Sequence, residues 1–181
     1  MDPKSWPVLF AIAGGLALVG GVAMIVRARE PAALRPYVPG NEQVTPAPTI
    51  DGVTLRTWLI HHHPTRDQVW PGVVAEFYRR AAADPVIADY FRAVDMETQQ
   101  RHFCRALSLV TGSGLTVGAL RRLRQIHARV LASDGTPITG QVYDTVASTL
   151  LAVLADYGVP ASGRNALAVT IAPLRAEIAR V

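Results

Sequence analysis

Only one of the 181 residues is a cysteine, Cys104, and only one is a lysine, Lys4. A single thiol excludes an intramolecular disulfide framework and any metal site built from several cysteines. All other basic residues are arginines. They are scattered along the chain, and the formal net charge is only +4, so there is no basic stripe of the kind that nucleic acid requires. No segment recurs at a fixed period, which excludes solenoids and propellers. Strand-like alternation of apolar and polar residues is also missing.

Long apolar runs are equally scarce, with one exception. Trp6 to Val26 forms 21 consecutive positions without a charge. As a helix rising ~1.5 Å per residue it covers about 30 Å, the thickness of a bilayer's hydrocarbon core. A cleaved signal peptide fits less well: Lys4 is offset by Asp2, the apolar run is too long, and no small-x-small site follows. The expectation is a single-pass membrane helix at 6–26 behind a short tail at 1–5. Arg27, Arg29 and Arg35 follow the run, and the positive-inside bias then places the rest of the chain in the cytoplasm. Ala13, Ala17 and Gly21 recur every fourth residue, a spacing that permits a homodimer through the span but is also common in such segments.

Five prolines between Pro31 and Pro48 leave no periodic apolar pattern, so 27–64 reads as an extended Pro-rich linker. Within it Val53, Leu55 and Trp58 are able to open a short helix, and His61-His62-His63 reads as linker surface, because adjacent side chains do not converge on one metal. From residue 65 to 181 the period is helical. Trp70, Val74, Phe77, Tyr78 and Ala81 share a face, which Asp84-Pro85 closes. Asp95 caps a helix whose inner row is Gln99, Phe103, Leu107 and Val110, broken at Thr111-Gly-Ser-Gly114. Leu120, Leu123, His127 and Leu131 form the next stripe. Thr139 caps a longer helix with Val142, Val146, Leu150, Val153 and Tyr157 inward, which Gly158 ends. Ser162 caps the last, with Leu167, Ile171, Leu174 and Ile178 inward. The predicted fold class is all-α.

His127 stands out because it interrupts an apolar stripe. A lone inward histidine is more often a hydrogen-bonded core residue. One histidine is too few for a structural zinc site, which takes four ligands. It suffices for a haem iron, because the porphyrin contributes the other nitrogens.

The chain resembles the group I truncated haemoglobins. The resemblance rests on Phe77-Tyr78, Asp84-Pro85, Phe91, Val94-Asp95-Met96, Arg101-His102 and Gln125-Ile126-His127, taken in order. It continues through Ile138-Thr139, Tyr157-Gly158-Val159-Pro160 and Ala172-Pro173-Leu174-Arg175, so it covers about residues 68 to 180. It implies a two-over-two helical sandwich around haem b (iron protoporphyrin IX), with the proximal ligand on a loop-like segment. His127 matches the proximal iron ligand and Phe91 the aromatic packed on the porphyrin. Tyr78 matches the distal hydroxyl that donates to a bound gas, and Gln99 adds a second donor. Phe77, Phe103, Leu107 and Leu123 belong to the pocket. Val146 stands where other truncated globin groups carry a tryptophan. His102 matches a position that ligates iron in some members, although a propionate contact or solvation is the milder alternative. One of Arg121, Arg122 and Arg124 is able to pair with a propionate, but such a run is more often a solvated helix face. Cys104 reads as a small core residue.

The chain departs from the pattern at Trp70-Pro71-Gly72 and Gly112-Ser113-Gly114, where the family commonly has Gly-Gly. It departs again at Phe103, often a glutamine, and in a longer segment after His127 with a turn at Asp134-Gly135. What the resemblance implies is reversible binding of dioxygen, with nitric oxide and carbon monoxide as further ligands and a reductase as partner. Oxidation of nitric oxide to nitrate is the enzymatic alternative. A sensor, or a haem-free interaction domain tethered to the membrane, is the third.

Overall fold

The computed structural model describes residues 40–65, 68–92 and 94–180. The tail expected at 1–5, the span at 6–26 and the first part of the linker lie outside the described residues. Among the described residues no helix is long and apolar enough to cross a membrane.

The chain enters through β1 (Gln43–Thr45), β2 (Thr49–Ile50), β3 (Val53–Thr54) and α1 (Leu55–His62). Helix α2 (Val69–Ala83) follows, then a single 3-10 turn (Ala88–Phe91) and α3 (Met96–Ser113). Strand β4 (Leu115–Thr116) leads directly into α4 (Val117–His127). An irregular segment connects to α5 (Gly140–Asp156), α6 (Ala161–Ile171) and α7 (Pro173–Ile178). Helix α2 packs on α3 and α5, α4 on α7, and α1 on α3. The architecture is mostly helical and globin-like.

The helix starts follow local chemistry. Asp95 accepts a hydrogen bond from the Thr98 amide, Thr116 from Ala119, and Thr139 from Val142, each satisfying an amide that the first turn leaves without a partner. Helix α2 stops at Asp84, whose carboxylate accepts from the Val86 amide at 2.8 Å and turns the chain into the 3-10 segment. Gly158, at φ +79°, ends α5 in the left-handed region.

Several expectations give way to the tertiary structure. The stretch 43–62, expected within the linker, is part of the packed domain. Ile50, Leu55 and Leu59 are buried in the core, and burying each leucine contributes about 1.5–3 kcal/mol. Prolines at 46 and 48 do not prevent this, because β1 and β2 are too short to need their missing amides. The Thr45 hydroxyl donates to the Thr170 carbonyl at 3.0 Å, tying the segment to α6. The fold also contains two small antiparallel ladders, β1 with β4 and β2 with β3. Each strand has two or three residues, too few to show alternation.

The histidine triplet closes α1 rather than lying in an extended linker, while His61 and His62 stay exposed as expected. His62 stacks on Trp58 with ring centroids 4.4 Å apart, and His63 stacks on Tyr157 at 5.2 Å. Helix α3 runs through Thr111 and Gly112 and stops only at Gly114, φ +81°. Leu131 leaves the stripe that begins with Leu120: α4 ends at His127 and Leu131 is 48% exposed. Ser162 lies inside α6, which starts after Pro160, and a break at Ala172 splits off α7 with Pro173 in its first turn.

Candidate functional site

A cavity of about 80 Å³ lies between α3, α4, α5 and α7. Its walls are apolar. Phe103, Ala106, Leu107 and Val110 form the α3 side, an unbroken row at helical spacing. Val142, Val146 and Leu150 form the α5 side, and Ile171, Leu174 and Ile178 close the end. Leu123 and His127 reach in from α4.

His127 is 2% exposed. Its Nδ1 lies 2.7 Å from the carbonyl oxygen of Leu123, one turn back. A carbonyl only accepts, so Nδ1 carries the hydrogen and Nε2 is the basic nitrogen of the ring. A backbone acceptor on Nδ1 is the arrangement that fixes tautomer and ring orientation for a histidine that ligates metal through Nε2. Contrary to the loop-like setting expected for it, His127 ends an 11-residue helix. The segment that follows is held from the opposite side of the domain. Asp89 accepts from the Ser133 amide at 2.6 Å, and the Tyr90 hydroxyl donates to the Pro137 carbonyl at 2.9 Å.

Phe103 is the hinge of the site. One side of it lines the cavity. The other meets Phe77 and Tyr78 edge-on, with centroids 4.9 and 5.9 Å away, and Phe91 meets Tyr78 at 5.4 Å. The sequence-predicted residues therefore fall into two groups. Phe103, Leu107, Leu123, His127 and Val146 share the cavity wall, whereas Phe77, Tyr78, Phe91 and Gln99 are not on it. Phe77, Tyr78 and Phe91 cluster on the other side of the Phe103 ring. His102 is half-buried and not on the wall either, so this arrangement does not bring it to the cavity.

Two buried polar atoms in the second group lack a hydrogen-bond partner, the Tyr78 hydroxyl and the Gln99 Nε2. Burial pushes the Tyr78 phenol well above its ordinary value. The neighbouring Gln99 amide opposes this, but without the geometry of a hydrogen bond. Tyr78 stays protonated at any physiological pH and keeps a proton to donate. Leaving such a group unpaired in the core costs about 1–3 kcal/mol.

Among the described residues no group of three or more His, Cys, Asp or Glu is placed to hold a metal. A metal at His127 must bring its other donors with it. An apolar slot with one tautomer-fixed imidazole has the donor chemistry that a porphyrin requires of the protein.

Over 87 residues the chain is 34% identical to the group 1 truncated haemoglobin GlbN of a Synechocystis species, a match spanning 48% of this chain and 68% of the relative. The chain belongs to the truncated haemoglobins. No family model matches it. As a truncated haemoglobin it has a globin-type ligand-binding function and a haem cofactor.

Reading the sequence missed part of this truncated haemoglobin's site. Ile138, Tyr143 and Ala147 also line the cavity. Ala147 follows Tyr143 by one turn, so the α5 row was broader than the single stripe read from the sequence. Tyr143 is masked as a polar residue, yet its hydroxyl donates to the Ile171 carbonyl at 2.7 Å, which lets its ring act as wall.

Proposed function

We propose that this truncated haemoglobin holds haem b through His127 Nε2 and binds dioxygen, nitric oxide and carbon monoxide, and that residues 6–26 anchor it in the membrane. When bound, the haem supplies an iron with an open position for a small diatomic gas. His127 holds the group and, through the bond from its Nδ1 to Leu123, offers one fixed ring orientation. Leu107, Val146 and Leu150 exclude water from the slot. Phe103 stands between the slot and the Tyr78 ring. A rotation of the Phe103 ring lets the Tyr78 hydroxyl and the Gln99 amide face a polar ligand in the cavity, and both then gain the partner they lack.

The observation that carries this reading is the buried, tautomer-fixed imidazole on an otherwise apolar cavity. Absorption spectra of the full chain in ferric, ferrous and carbonmonoxy states test it. A Soret band that shifts on reduction and again with carbon monoxide is expected. A chain that stays colourless with excess haemin overturns the reading.

The anchor follows from the uncharged run and the arginines after it, which favour a cytoplasmic domain. In intact spheroplasts, external protease is expected to leave the domain uncut. Digestion without lysis overturns that orientation.

A further inference from the structure

We propose that residues 128–139 form a strap over the cavity, latched at its tip by Asp89, that lifts to let a porphyrin in. The porphyrin rests on the haem reading above; the Asp89 latch is a property of the chain alone.

The cavity of about 80 Å³ is smaller than the roughly 300–1,000 Å³ of sites that take cofactor-sized molecules. Part of its wall must therefore give way before a porphyrin fits. Among the described residues that line it, Ile138 alone lies outside a helix. The other wall residues sit on helices, which are braced by hydrogen bonds within their own backbone. Ile138 belongs to the irregular segment between α4 and α5, so that segment has no such ladder to break.

The segment is nevertheless ordered within itself. The Ala132 amide donates to the Thr136 carbonyl at 2.8 Å, the Gly135 amide to the Ala132 carbonyl at 3.0 Å, and Leu131 bridges Pro137. The Asp134 carboxylate accepts from the Thr136 amide at 2.8 Å. Gly135, at φ +86°, completes the turn expected from Asp134-Gly135. A loop bonded across its own base moves as one piece. Its two apolar feet, Val130 and Ile138, are buried, while Ser133, Asp134 and Gly135 at the tip are exposed.

What holds the strap down comes from elsewhere in the fold. Asp89 and Tyr90, consecutive in the 3-10 turn, both reach across to it. One Asp89 oxygen accepts from the Ser133 amide at 2.6 Å and also from the Ser133 hydroxyl, and Arg92 Nε lies 3.0 Å from the other oxygen. The Tyr90 hydroxyl donates to the Pro137 carbonyl at 2.9 Å. At the feet, the Arg180 amide donates to the Ile138 carbonyl at 2.7 Å, and the Arg180 guanidinium to the Ala128 carbonyl. Of these ties only the one at Asp89 grips the exposed tip. It is made to a charged acceptor, which strengthens it, and breaking it uncovers no apolar surface. The turn that carries the latch is itself fixed in the core. Phe91, the next residue, packs edge-on against Tyr78 with centroids 5.4 Å apart. Lifting the strap therefore moves Val130 and Ile138 away from a stationary 3-10 turn and opens the cavity beside His127.

The test uses the full chain without haem. Val130 is 2% exposed and off the cavity wall, so the thiol introduced by Val130→Cys, in a Cys104→Ser background, is covered while the strap is down. Its labelling by a small maleimide reads lifting. Stopped-flow absorbance on mixing with haemin, in chains that keep Val130, reads uptake. Amide hydrogen exchange in α3 and α5 reads the rest of the domain. Asp89→Ala is expected to quicken labelling and haemin uptake roughly tenfold each, as removal of a hydrogen bond to a charged group does, with exchange in α3 and α5 unchanged. Tyr90→Phe should act in the same direction with a smaller effect. Labelling unchanged in both variants overturns the latch. Faster labelling with unchanged haemin uptake overturns the strap as the way in. Faster exchange throughout α3 and α5 assigns the change to general loosening and overturns the proposal too. A chain that takes up no haemin in any variant sinks the haem reading, while faster labelling keeps the latch.

Discussion

His127 Nδ1 and the Leu123 carbonyl, 2.7 Å apart within one helix, decide which nitrogen of the buried ring is basic. The helix's own backbone fixes the tautomer, because the Leu123 carbonyl accepts from Nδ1. His127→Ala is expected to weaken haemin binding by more than roughly a hundredfold, read as loss of the Soret band on titration. Undiminished binding would place the iron ligand elsewhere.

Tyr78→Phe is expected to act with opposite sign on the two forms. In the haem-free chain it removes an unpaired buried hydroxyl, so thermal unfolding should show a gain of about 1 kcal/mol. In the haem-loaded chain it removes a donor, and the dioxygen off-rate should rise roughly tenfold, the equivalent of one hydrogen bond of about 1.4 kcal/mol. A loss of stability in the haem-free chain would mean the hydroxyl has a partner there.

Leu59→Ala tests whether the N-terminal part of the described chain belongs to the fold. Leu59 is completely buried, so denaturant unfolding should show a loss of about 2–5 kcal/mol in a single transition. Gly114→Ala should also destabilise, because a Cβ there collides with the Thr45 carbonyl in a backbone conformation at φ +81°. No effect from either substitution would detach β1 and α1 from the domain.

Acid should weaken the ion-pair cluster that Glu76 forms with Arg79 and Arg80 along α2. Hydrogen bonds from Arg79 and Arg80 hold Glu76 down to about 2 from its ordinary 4.5, and Arg80 also pairs with Asp156. Because the folded value is the lower one, this contribution is complete above about pH 4.5 and is lost as pH falls towards 2. The groups are exposed, so the effect is small. Glu76→Gln should flatten the dependence of melting temperature on pH across that window and leave it unchanged near neutrality. An unaltered acid limb would show that the cluster contributes nothing.

Much of the helical layout was legible because it depends on local rules. Asp95, Thr116 and Thr139 cap through their own side chains, and Gln99, Phe103, Leu107 and Val110 repeat at helical spacing whatever packs against them. Thr116 is harder to recognise as a cap from sequence, since the β4 pairing it belongs to depends on a strand over sixty residues away. Leu55 and Leu59 are hidden in the sequence for the same reason: two leucines one turn apart say nothing of burial until α3 covers them.

Sequence by itself determined the helical class, the membership of the truncated haemoglobins and the position of a histidine in an apolar row, since each follows from residue spacing along one chain. Only the tertiary structure decided which side of Phe103 each pocket residue occupies, why residues 43–62 belong to the domain, and how Asp89 comes to hold Ser133. Those outcomes depend on contacts between residues far apart in the chain, where shape, burial and orphaned hydrogen-bond groups are settled jointly and no local pattern carries the information.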